Sequence, residues 1–515
     1  MSGHESMWPL VRGITVAVAC MAGLSAPAAE LSVAQGRQIA TRGTAAGVPA
    51  CTSCHGAQGE GAGAFPRLAG TGQAYLREQL DAFAGGSRQN AIMQPFAQKL
   101  TPAERASVAA YFASLPAPLK AADVPAATPG DAGAWLATRG RWADQIPACS
   151  QCHGPGGSGV GQNFPPLAGL PAAYIVEQLK AEKAGTRPGG PLGLMQGIAR
   201  RLNDADFAAV SSYYAALGTA AKPAPTASIP VSPAAAEPVP APAKPAGPGA
   251  FQPPPERSMP EGEYGKVVRQ GEQLFRHTDS VAKKYVGNDL SCSNCHLDAG
   301  RQPNSAPLWA AFVHYPAYRA KTGKVDTLAS RIQGCFQYSM NGKAPPADSP
   351  ELTALQTYAS WLATGAPVGK PIAGSGYPKL PKPAQAPDYA RGQKVYAANC
   401  AVCHGADGLG QRAGDSQVFP PLWGPRSFNW GAGMHQVSNA SAFIKANMPL
   451  GKGGTLSDQD AWDVAYFMDA HERPQDPRWR GSIAQTRKAY HDSAYSLYGV
   501  TVNGHLLGSG TGKGR

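Results

Sequence analysis

Residues 51–55 read Cys-Thr-Ser-Cys-His, and this pattern of two cysteines, two residues apart and followed by a histidine, occurs at four places. The other copies are residues 149–153, 292–296 and 400–404. Two thiols at this spacing can bond the two vinyl groups of one porphyrin, and the adjacent histidine ligates the iron. A lone cysteine pair could be a zinc half-site or a redox dithiol. Four copies that all end in His predict four covalently bound haem c groups.

The first half of the chain contains an internal repeat. The string FPRLAG at residues 65–70 recurs as FPPLAG at residues 164–169, in each case shortly after the haem motif. Each copy then carries a methionine, Met93 or Met195, and ends in a segment with helical spacing of apolar residues. This arrangement predicts one compact haem domain per copy. The closing helices are predicted over residues 101–115 and 203–217.

An Ala/Pro-rich stretch separates this repeat from a second pair of haem units. Its composition cannot build a core and predicts an extended, semi-stiff spacer. The fourth unit resembles the first two, because FPPL at residues 419–422 and Met448 follow its motif and a closing helix is predicted over 457–470. The third unit has a closing helix predicted over 350–363 but carries Cys335 where a methionine is expected.

These patterns predict a mainly α protein with four class I cytochrome c-like domains, arranged as two dihaem pairs. The predicted parts are a signal peptide (1–28), two haem domains (29–120 and 121–217), the linker (218–257), a third haem domain (258–380) and a fourth with a C-terminal extension (381–515).

The N-terminus is typical of an exported protein. Arg12 precedes an apolar stretch, and Ala26-Pro27-Ala28 is an A-x-A-like cleavage site. Cys20 could be a lipoprotein cysteine, although the residues before it suit that role poorly. No later segment offers the run of about 20 apolar residues that spans a bilayer. We therefore expect a periplasmic protein without a transmembrane anchor.

The formal charge of the 515-residue chain is +12. The basic residues are scattered, and no basic run with interleaved aromatic residues occurs, so nucleic-acid binding is not expected. Haem propionates would offset part of the positive charge. A basic surface for acidic partner proteins or anionic substrates is the better interpretation.

Each haem iron also needs a ligand on its distal side. Met93, Met195 and Met448 occupy the same place in three units, just before the closing helix, and are the predicted distal ligands. In the third unit, Cys335 and Met340 both lie in the corresponding window. Spacing alone does not choose between them, and a lone cysteine is most often an inert buried thiol. The proximal and attachment residues are Cys51, Cys54, His55, Cys149, Cys152, His153, Cys292, Cys295, His296, Cys400, Cys403 and His404.

Two family resemblances extend this interpretation. Residues 30–217 resemble dihaem cytochromes of the c4 type, through the FPxLAG strings and the segment PFAQKLTPAERASVAAYFASL after Met93. Residues from 258 onward resemble tetrathionate-forming dihaem thiosulfate dehydrogenases, through YVGNDLSCSNCHLDAGRQPNSAPLWAAF, YPAYR, TLASRIQGCFQYSMNG, NMPLG, RPQDPRW and YGVTVNGHLLG. The chain thus looks like a fusion with the electron acceptor first.

The resemblance implies that Cys335 is the distal ligand of the haem attached at Cys292 and Cys295, and that Met448 ligates the fourth haem. Some relatives have a lysine directly before that methionine as an alternative ligand. Asn447 stands there in this chain, so no exchange between Lys and Met is expected.

The implied reaction joins two thiosulfate dianions into tetrathionate and releases two electrons. The site therefore needs fixed positive charge and hydrogen-bond donors. Arg301 and Arg331 are the candidate cations, although either could simply pair with a haem propionate. Weaker candidates for orienting sulfonate oxygens are Ser305, Gln333 and Asn341. The family also suggests that Cys335 leaves the iron transiently and forms a covalent adduct with one thiosulfate.

Three rival functions are also compatible with the sequence. The chain could be a pure electron carrier, could work as a tetrathionate reductase, or could resemble the dihaem cytochromes that link sulfur to a carrier protein. The electrons are expected to leave to another cytochrome or a terminal oxidase. His314, His435 and His471 are left as packing or surface residues.

Overall fold

The computed structural model describes residues 33–116, 130–187, 190–217 and 251–511. The predicted signal peptide lies outside the described residues, as does most of the predicted linker. The remaining residues of the predicted linker, 251–257, are described and pack as part of the third unit. Phe251 packs on Trp309 with ring centroids 5.1 Å apart, and Glu256 forms an ion pair with Arg276.

The described chain is mainly α-helical and forms four haem units, as the sequence predicts. The four closing helices are present at Pro102–Ser114, Asp204–Leu217, Pro350–Leu362 and Asp458–Asp469. Side-chain oxygens of Thr101, Ser349 and Ser457 accept hydrogen bonds from backbone N–H groups in the first turn of their helices. These caps satisfy donors that a helix start leaves unpaired.

Each closing helix crosses the first helix of its own unit at a glycine. A Cβ atom at Gly36, Gly133, Gly271 or Gly392 would collide with a backbone oxygen of the closing helix. Glycine therefore lets the two backbones approach where any larger side chain would separate them. Because the same crossing recurs in all four described units, they share one architecture.

The N-terminal pair consists of short helices around two apolar cores. Each core is closed by its own haem-motif helix and closing helix. The remaining helices of the pair are Val33–Arg42, Thr52–His55, Gln73–Ala84, Met93–Lys99, Ala132–Thr138, Ser150–His153, Ala172–Ala184 and Leu194–Arg201.

The C-terminal pair has larger cores and three small antiparallel hairpins. The hairpins join Ala317–Arg319 to Lys324–Asp326, Gln411–Ala413 to Ser416–Phe419, and Thr501–Val502 to His505–Leu506. Its other helices are Gly262–Arg276, Thr278–Val281, Leu297–Gly300, Leu308–His314, Leu328–Gly334, Tyr389–Asn399, Ala401–His404, Val437–Asn447 and Ile483–Tyr490, with a π-helix at Cys335–Ser339.

The third and fourth units pack directly against each other. Asn429 donates hydrogen bonds from its side-chain amide to Gln337 O (2.9 Å) and Asn341 Oδ1 (3.0 Å). Met434 packs against the cores of both units. The C-terminal pair is therefore one continuous body with two cores.

The second unit is the part of the N-terminal pair that contacts the C-terminal pair. Arg139 pairs with Glu256 (2.9 Å) and Glu272 (3.4 Å) of the third unit. Phe164 packs against Phe419 of the fourth unit with ring centroids 4.9 Å apart. Among the described residues, no helix is long and apolar enough to cross a membrane.

Candidate haem sites and catalytic cavity

The four motif histidines are all held by a hydrogen bond at Nδ1. Their Nδ1 atoms lie 2.7 Å from Pro66 O (His55), 2.8 Å from Pro165 O (His153), 2.6 Å from Ala306 O (His296) and 2.9 Å from Pro420 O (His404). A carbonyl at Nδ1 places the proton there and leaves Nε2 available as an iron ligand. The arrangement fits proximal haem ligation in each unit.

Burial keeps these imidazoles in the neutral form that binds metal. Desolvation lowers the pKa of His55, His153 and His404 below the ordinary value, and that of His296 to about 4. The nine cysteines of the described residues are all free thiols, so the motif cysteines remain available for thioether bonds.

One cavity of about 1030 Å³ is lined by residues of both units of the N-terminal pair. Its walls hold both haem motifs together with Met93 and Met195, each in the first turn of a short helix before the closing helix. Apolar side chains form most of the wall. The lining residues fit two thioether-bonded porphyrins with methionine on the distal side.

Two buried arginines cross the seam between the first and second units. Arg88 donates to Gln79 Oε1 (2.8 Å) and to Gln178 Oε1 (2.7 Å) of the neighbouring unit. Arg187 donates in the opposite direction, to Tyr75 Oη at 2.7 Å. Buried charges are costly unless they are hydrogen-bonded, so both guanidinium groups keep these partners across the seam. The reciprocal hydrogen bonds therefore join the two haem sites.

A second cavity, of about 760 Å³, belongs to the third unit. Cys292, Cys295 and His296 line it, and so do both candidate distal ligands, Cys335 and Met340. Cys335 is the first residue of the π-helix that follows Leu328–Gly334. Such π-turns are rare and frequently occur at functional sites.

Arg331 brings a positive charge directly to Cys335. Its Nη1 lies 2.9 Å from Cys335 Sγ. Electrostatic interaction with Cys335 raises the pKa of Arg331; burial opposes this, and Tyr315 adds to the rise. The cation is therefore retained beside the sulfur atom, where it stabilises negative charge on a thiolate or on an approaching anion.

Three exposed polar residues that line this cavity were missed from the sequence. Lys370, Ser375 and His314 are exposed at its wall. Lys370 and Ser375 come from the segment after the closing helix, far along the chain from the haem motif. Nothing in the local sequence marks them, because only the return of this segment over the cavity brings them there.

The other predicted substrate residues do not reach the cavity. Arg301 donates to Pro254 O and stacks over the ring of Trp361, with the guanidinium carbon 5.8 Å from the ring centroid. Ser305 is fully buried and donates to Gln302 O at 2.7 Å.

Gln333 and Asn341 also have structural partners. Gln333 donates to Pro345 O at 2.8 Å, and Asn341 accepts from Asn429 at 3.0 Å. Arg331 and Cys335 are thus the predicted catalytic residues that the structure brings together.

Met448 follows the helix Val437–Asn447 and packs, half-buried, against the core of the fourth unit, which also contacts Cys400. The preceding Asn447 donates its side-chain amide to Asn304 O (3.1 Å) and Phe443 O (3.0 Å). Asn447 therefore ties the third and fourth units together.

The histidines outside the motifs have other surroundings. His435 and His491 are buried together, with His435 Nε2 3.1 Å from His491 Nδ1. His471 stacks on Trp423 with centroids 4.1 Å apart. His314 is exposed at the wall of the third-unit cavity.

Family models match each part of the chain. The SoxA/TsdA cytochrome c domain matches residues 270–368, the cbb3-type cytochrome c oxidase subunit III model matches residues 387–468, and the general cytochrome c model matches residues 33–116 and 142–217. These domains imply covalently bound haem c with iron.

Individual relatives cover the chain in parts or nearly whole. A thiosulfate dehydrogenase of Thiomonas intermedia is 61% identical over 248 residues, which are 48% of this chain and 79% of the relative. A thiosulfate dehydrogenase electron acceptor of Stutzerimonas stutzeri is 44% identical over 41% of this chain and 95% of its own. The solved structure of a thiosulfate dehydrogenase (TsdBA) from Marichromatium purpuratum covers 93% of this chain and 100% of its own, at 45% identity and a TM-score of 0.81.

Proposed function

Since the chain belongs to the thiosulfate dehydrogenase family, with a c4-like electron acceptor part, we propose that it oxidises two thiosulfate ions to one tetrathionate in the periplasm. The contact of Arg331 with Cys335 inside the cavity of the third unit carries this proposal. A carrier of electrons alone has no need for a thiol and a buried cation at one of its haem sites.

The haem residues of the proposal are the four motifs, with Met93, Met195, Cys335 and Met448 as distal ligands. Bound haem supplies iron centres that each take up one electron. Cys335 is preferred to Met340 because Arg331 Nη1 lies 2.9 Å from its sulfur atom, where a cation can stabilise negative charge. Met340, in contrast, is 4% exposed and packs in the apolar core.

Arg331 and Lys370 provide the positive charge that two dianions require. Arg331 is buried beside Cys335, so it suits the sulfonate of a thiosulfate already bound at the sulfur. Lys370 is exposed at the cavity wall, so it suits the second, incoming ion. Hydrogen bonds from fixed cations inside a cavity are worth more than in water.

Cys335 supplies the nucleophile in the proposed sequence. The thiolate forms a bond to the outer sulfur of one thiosulfate and gives a cysteine S-thiosulfonate. Haem bound in the third and fourth units would take up the two electrons released, one at each iron. The outer sulfur of a second thiosulfate attacks that sulfur, tetrathionate departs, and the Cys335 thiolate is restored. Atoms and charge balance over the two steps, and Arg331 can stay beside the negative charge in both.

The contacts between units support a route for the two electrons. Met434 lies between the cores of the third and fourth units. Cys403 of the fourth unit and Cys152 of the second pack against the same small apolar cluster. The electrons would therefore pass from the third haem to the fourth, then to the second, and leave from the first to an external cytochrome or oxidase.

The test measures the initial rate of ferricyanide reduction by the fully haem-loaded protein with thiosulfate, together with the amount of tetrathionate formed. The same assay is made on Cys335→Gly and, as the matched control, on Met340→Leu. We expect turnover with tetrathionate as product, loss of turnover in Cys335→Gly, and activity close to that of the parent in Met340→Leu.

Two outcomes would contradict the proposal. Turnover that survives in Cys335→Gly would remove the cysteine from the chemistry. No thiosulfate turnover, combined with oxidation of a reduced dye by tetrathionate, would instead assign the reductase direction.

A further inference from the structure

The second unit docks on the fourth through an apolar face beside its haem motif. We call this the thioether face of the second unit; it consists of Cys152, Val160 and Phe164. Val160 is 2% exposed and Phe164 is 6% exposed, because both are covered by Ala413 and Phe419 of the fourth unit. Cys403 packs against the same cluster. The face is thus a contact between two haem units, made at the second cysteine of each motif.

The internal repeat places an equivalent face on the first unit. Its residues are Cys54, Ala62 and Phe65, which follow the first haem motif as Cys152, Val160 and Phe164 follow the second. Both faces are built on an antiparallel backbone bridge, although the loop of the second unit, from Val160 to Phe164, is one residue longer than that of the first, from Ala62 to Phe65. Ala62 and Phe65 form a bridge with N–O distances of 3.2 and 2.9 Å, and Val160 and Phe164 form one with distances of 2.9 and 3.3 Å.

The two faces differ in what covers them. Ala62, Gly63 and Ala64 are exposed, and Phe65 is half-buried. A Cβ atom added at Gly63 would have nothing within 4 Å. No described part of the chain therefore packs over this tip of the first unit, although the equivalent position in the second unit is closed by another haem unit.

We propose that the thioether face of the first unit (Cys54, Ala62 and Phe65) is the docking surface for a separate class I cytochrome c. The partner presents the apolar edge beside the second cysteine of its own motif, as the fourth unit does with Cys403, Ala413 and Phe419. The established contact between the second and fourth units shows what this face binds in its covered copy. The small residues leave an open, flat surface that a partner can approach and leave.

The partner is expected to carry net negative charge, because the chain has a formal charge of +12 and opposite charge speeds encounter. The apolar centre then provides the short contact, and the charges around it provide orientation. The role of the docked cytochrome as electron acceptor of the first unit rests on the electron route proposed above. The docking itself does not depend on that route.

The test uses the oxidised, full-length holoprotein without thiosulfate. An acidic monohaem class I cytochrome c with zinc in place of iron is excited by a flash, and the quenching of its triplet state by electron transfer to the chain is followed. Its second-order rate constant is compared for the parent, Ala62→Glu, Ala62→Val and the matched control Ala103→Glu. Ala103 is exposed on the same unit, at the start of its closing helix.

We expect Ala62→Glu to lower the rate constant by about tenfold or more, because a charge would be desolvated in an apolar contact. Ala103→Glu should stay within about twofold of the parent, and Ala62→Val should match or exceed the parent because it restores the residue of the second unit. Three Met-ligated haems contribute to the Met–iron charge-transfer band under the proposed ligation, so loss of about a third of its intensity relative to the parent reports loss of the first haem site. If Ala62→Glu loses that third, Ala64→Glu takes its place in the comparison.

An unchanged rate constant in a correctly ligated Ala62→Glu or Ala64→Glu variant would overturn the docking proposal. Equal slowing in Ala103→Glu would also overturn it, since the effect would then be one of charge alone. Ferricyanide reduction with thiosulfate is measured in parallel on the same variants. If the parent protein shows no ferricyanide reduction with thiosulfate, that result contradicts the proposed activity. The docking result does not depend on it.

Discussion

The N-terminal pair of haem units and the third unit hold their motif histidines in the same way but differ in the other residues that line their cavities. In both, a buried histidine is held at Nδ1 by a backbone carbonyl. The distal walls of the N-terminal cavity carry Met93 and Met195, whereas the third-unit cavity carries Cys335 with Arg331 at 2.9 Å. One architecture therefore encloses two cavities with different chemistry, and a few lining residues make the difference.

Unusual backbone conformations also distinguish the third unit from the N-terminal pair. Of the eight non-glycine residues with positive φ in the described chain, five lie in the third unit: Asp298, Ala299, Asn304, Ala306 and Asn341. Such conformations cost free energy and persist where the surroundings impose them, often at functional sites. Here Asp298, Ala299, Asn304 and Ala306 shape the loop whose Ala306 carbonyl holds His296.

The sharpest test of this comparison changes the two arginines that were candidates for substrate binding, Arg331 and Arg301. Arg331→Met should lower kcat/KM for thiosulfate by about 100-fold, because a buried cation at the reacting sulfur is lost. Arg301→Met should leave kcat/KM within about threefold and lower the melting temperature, since Arg301 supports the loop from outside the cavity. Steady-state kinetics and thermal unfolding separate the two. Equal kinetic losses would show that both arginines reach substrate.

A second difference concerns acid stability. Burial opposes ionisation of Asp476, but hydrogen bonds from His491 and Arg478 outweigh it and hold the pKa of Asp476 below its usual range. A depressed carboxyl pKa contributes stability above the unfolded value of about 4, and this contribution is lost as the pH falls below it. Asp476→Asn should therefore destabilise the C-terminal pair by about 2 kcal/mol at pH 7 and flatten its acid dependence.

The matched variant in the N-terminal pair is Asp206→Asn. Burial also opposes ionisation of Asp206, and Arg141 lowers its pKa through two hydrogen bonds of 2.9 Å. The side chain of Arg141 is 36% exposed, so solvent weakens this pair and the expected loss is about 1 kcal/mol. Thermal unfolding between pH 3 and 7 measures both. A larger effect at Asp206 would reverse the comparison.

A third prediction concerns the contact between the pairs. Arg139 is 19% exposed and joins the second unit to Glu256 and Glu272 of the third. Arg139→Met should weaken the docking of the two pairs by roughly 2 kcal/mol, with Arg276 still partly compensating the carboxylates. We expect calorimetry to show two separated unfolding transitions, and exposed Arg42→Met to leave the profile unchanged. A single transition in Arg139→Met would mean that the apolar contacts suffice.

The smallest expected effects come from the caps of the closing helices. Thr101→Ala in the first unit and Ser457→Ala in the fourth should each cost about 1 kcal/mol, because each removes an oxygen that accepts a backbone N–H at a helix start. In the Arg139→Met background, each loss should appear only in the unfolding transition of its own pair. Ser53→Ala, whose hydroxyl is exposed, is the control.

The sequence predicted the fold well because its signals are local. The haem motif is five consecutive residues, and the closing helices combine a cap with helical spacing, so both can be read without knowing the rest of the chain. The closing helix predicted over residues 101–115 is observed at Pro102–Ser114. The family assignment follows from strings of the same kind.

The sequence predicted some residues of the candidate site correctly and missed others. Arg331 and Cys335 lie one helical turn apart, so their contact follows from sequence spacing. Arg301 is close to the haem motif in the chain, yet it turns away because Asp298 and Ala299 adopt left-handed conformations just before it. Lys370 is far from the motif and still lines the cavity. The distal ligands remain predictions.

The sequence by itself determined the four haem motifs, the repeat and the helices, because covalent attachment and helix formation depend on residues a few positions apart. Only the tertiary structure decided which polar side chains meet at the third cavity and which thioether face is covered. Both depend on how segments far apart in the chain pack, and that packing is a property of the whole molecule. Val160 and Ala62 occupy equivalent places in a repeat, and only the fold buries one and exposes the other.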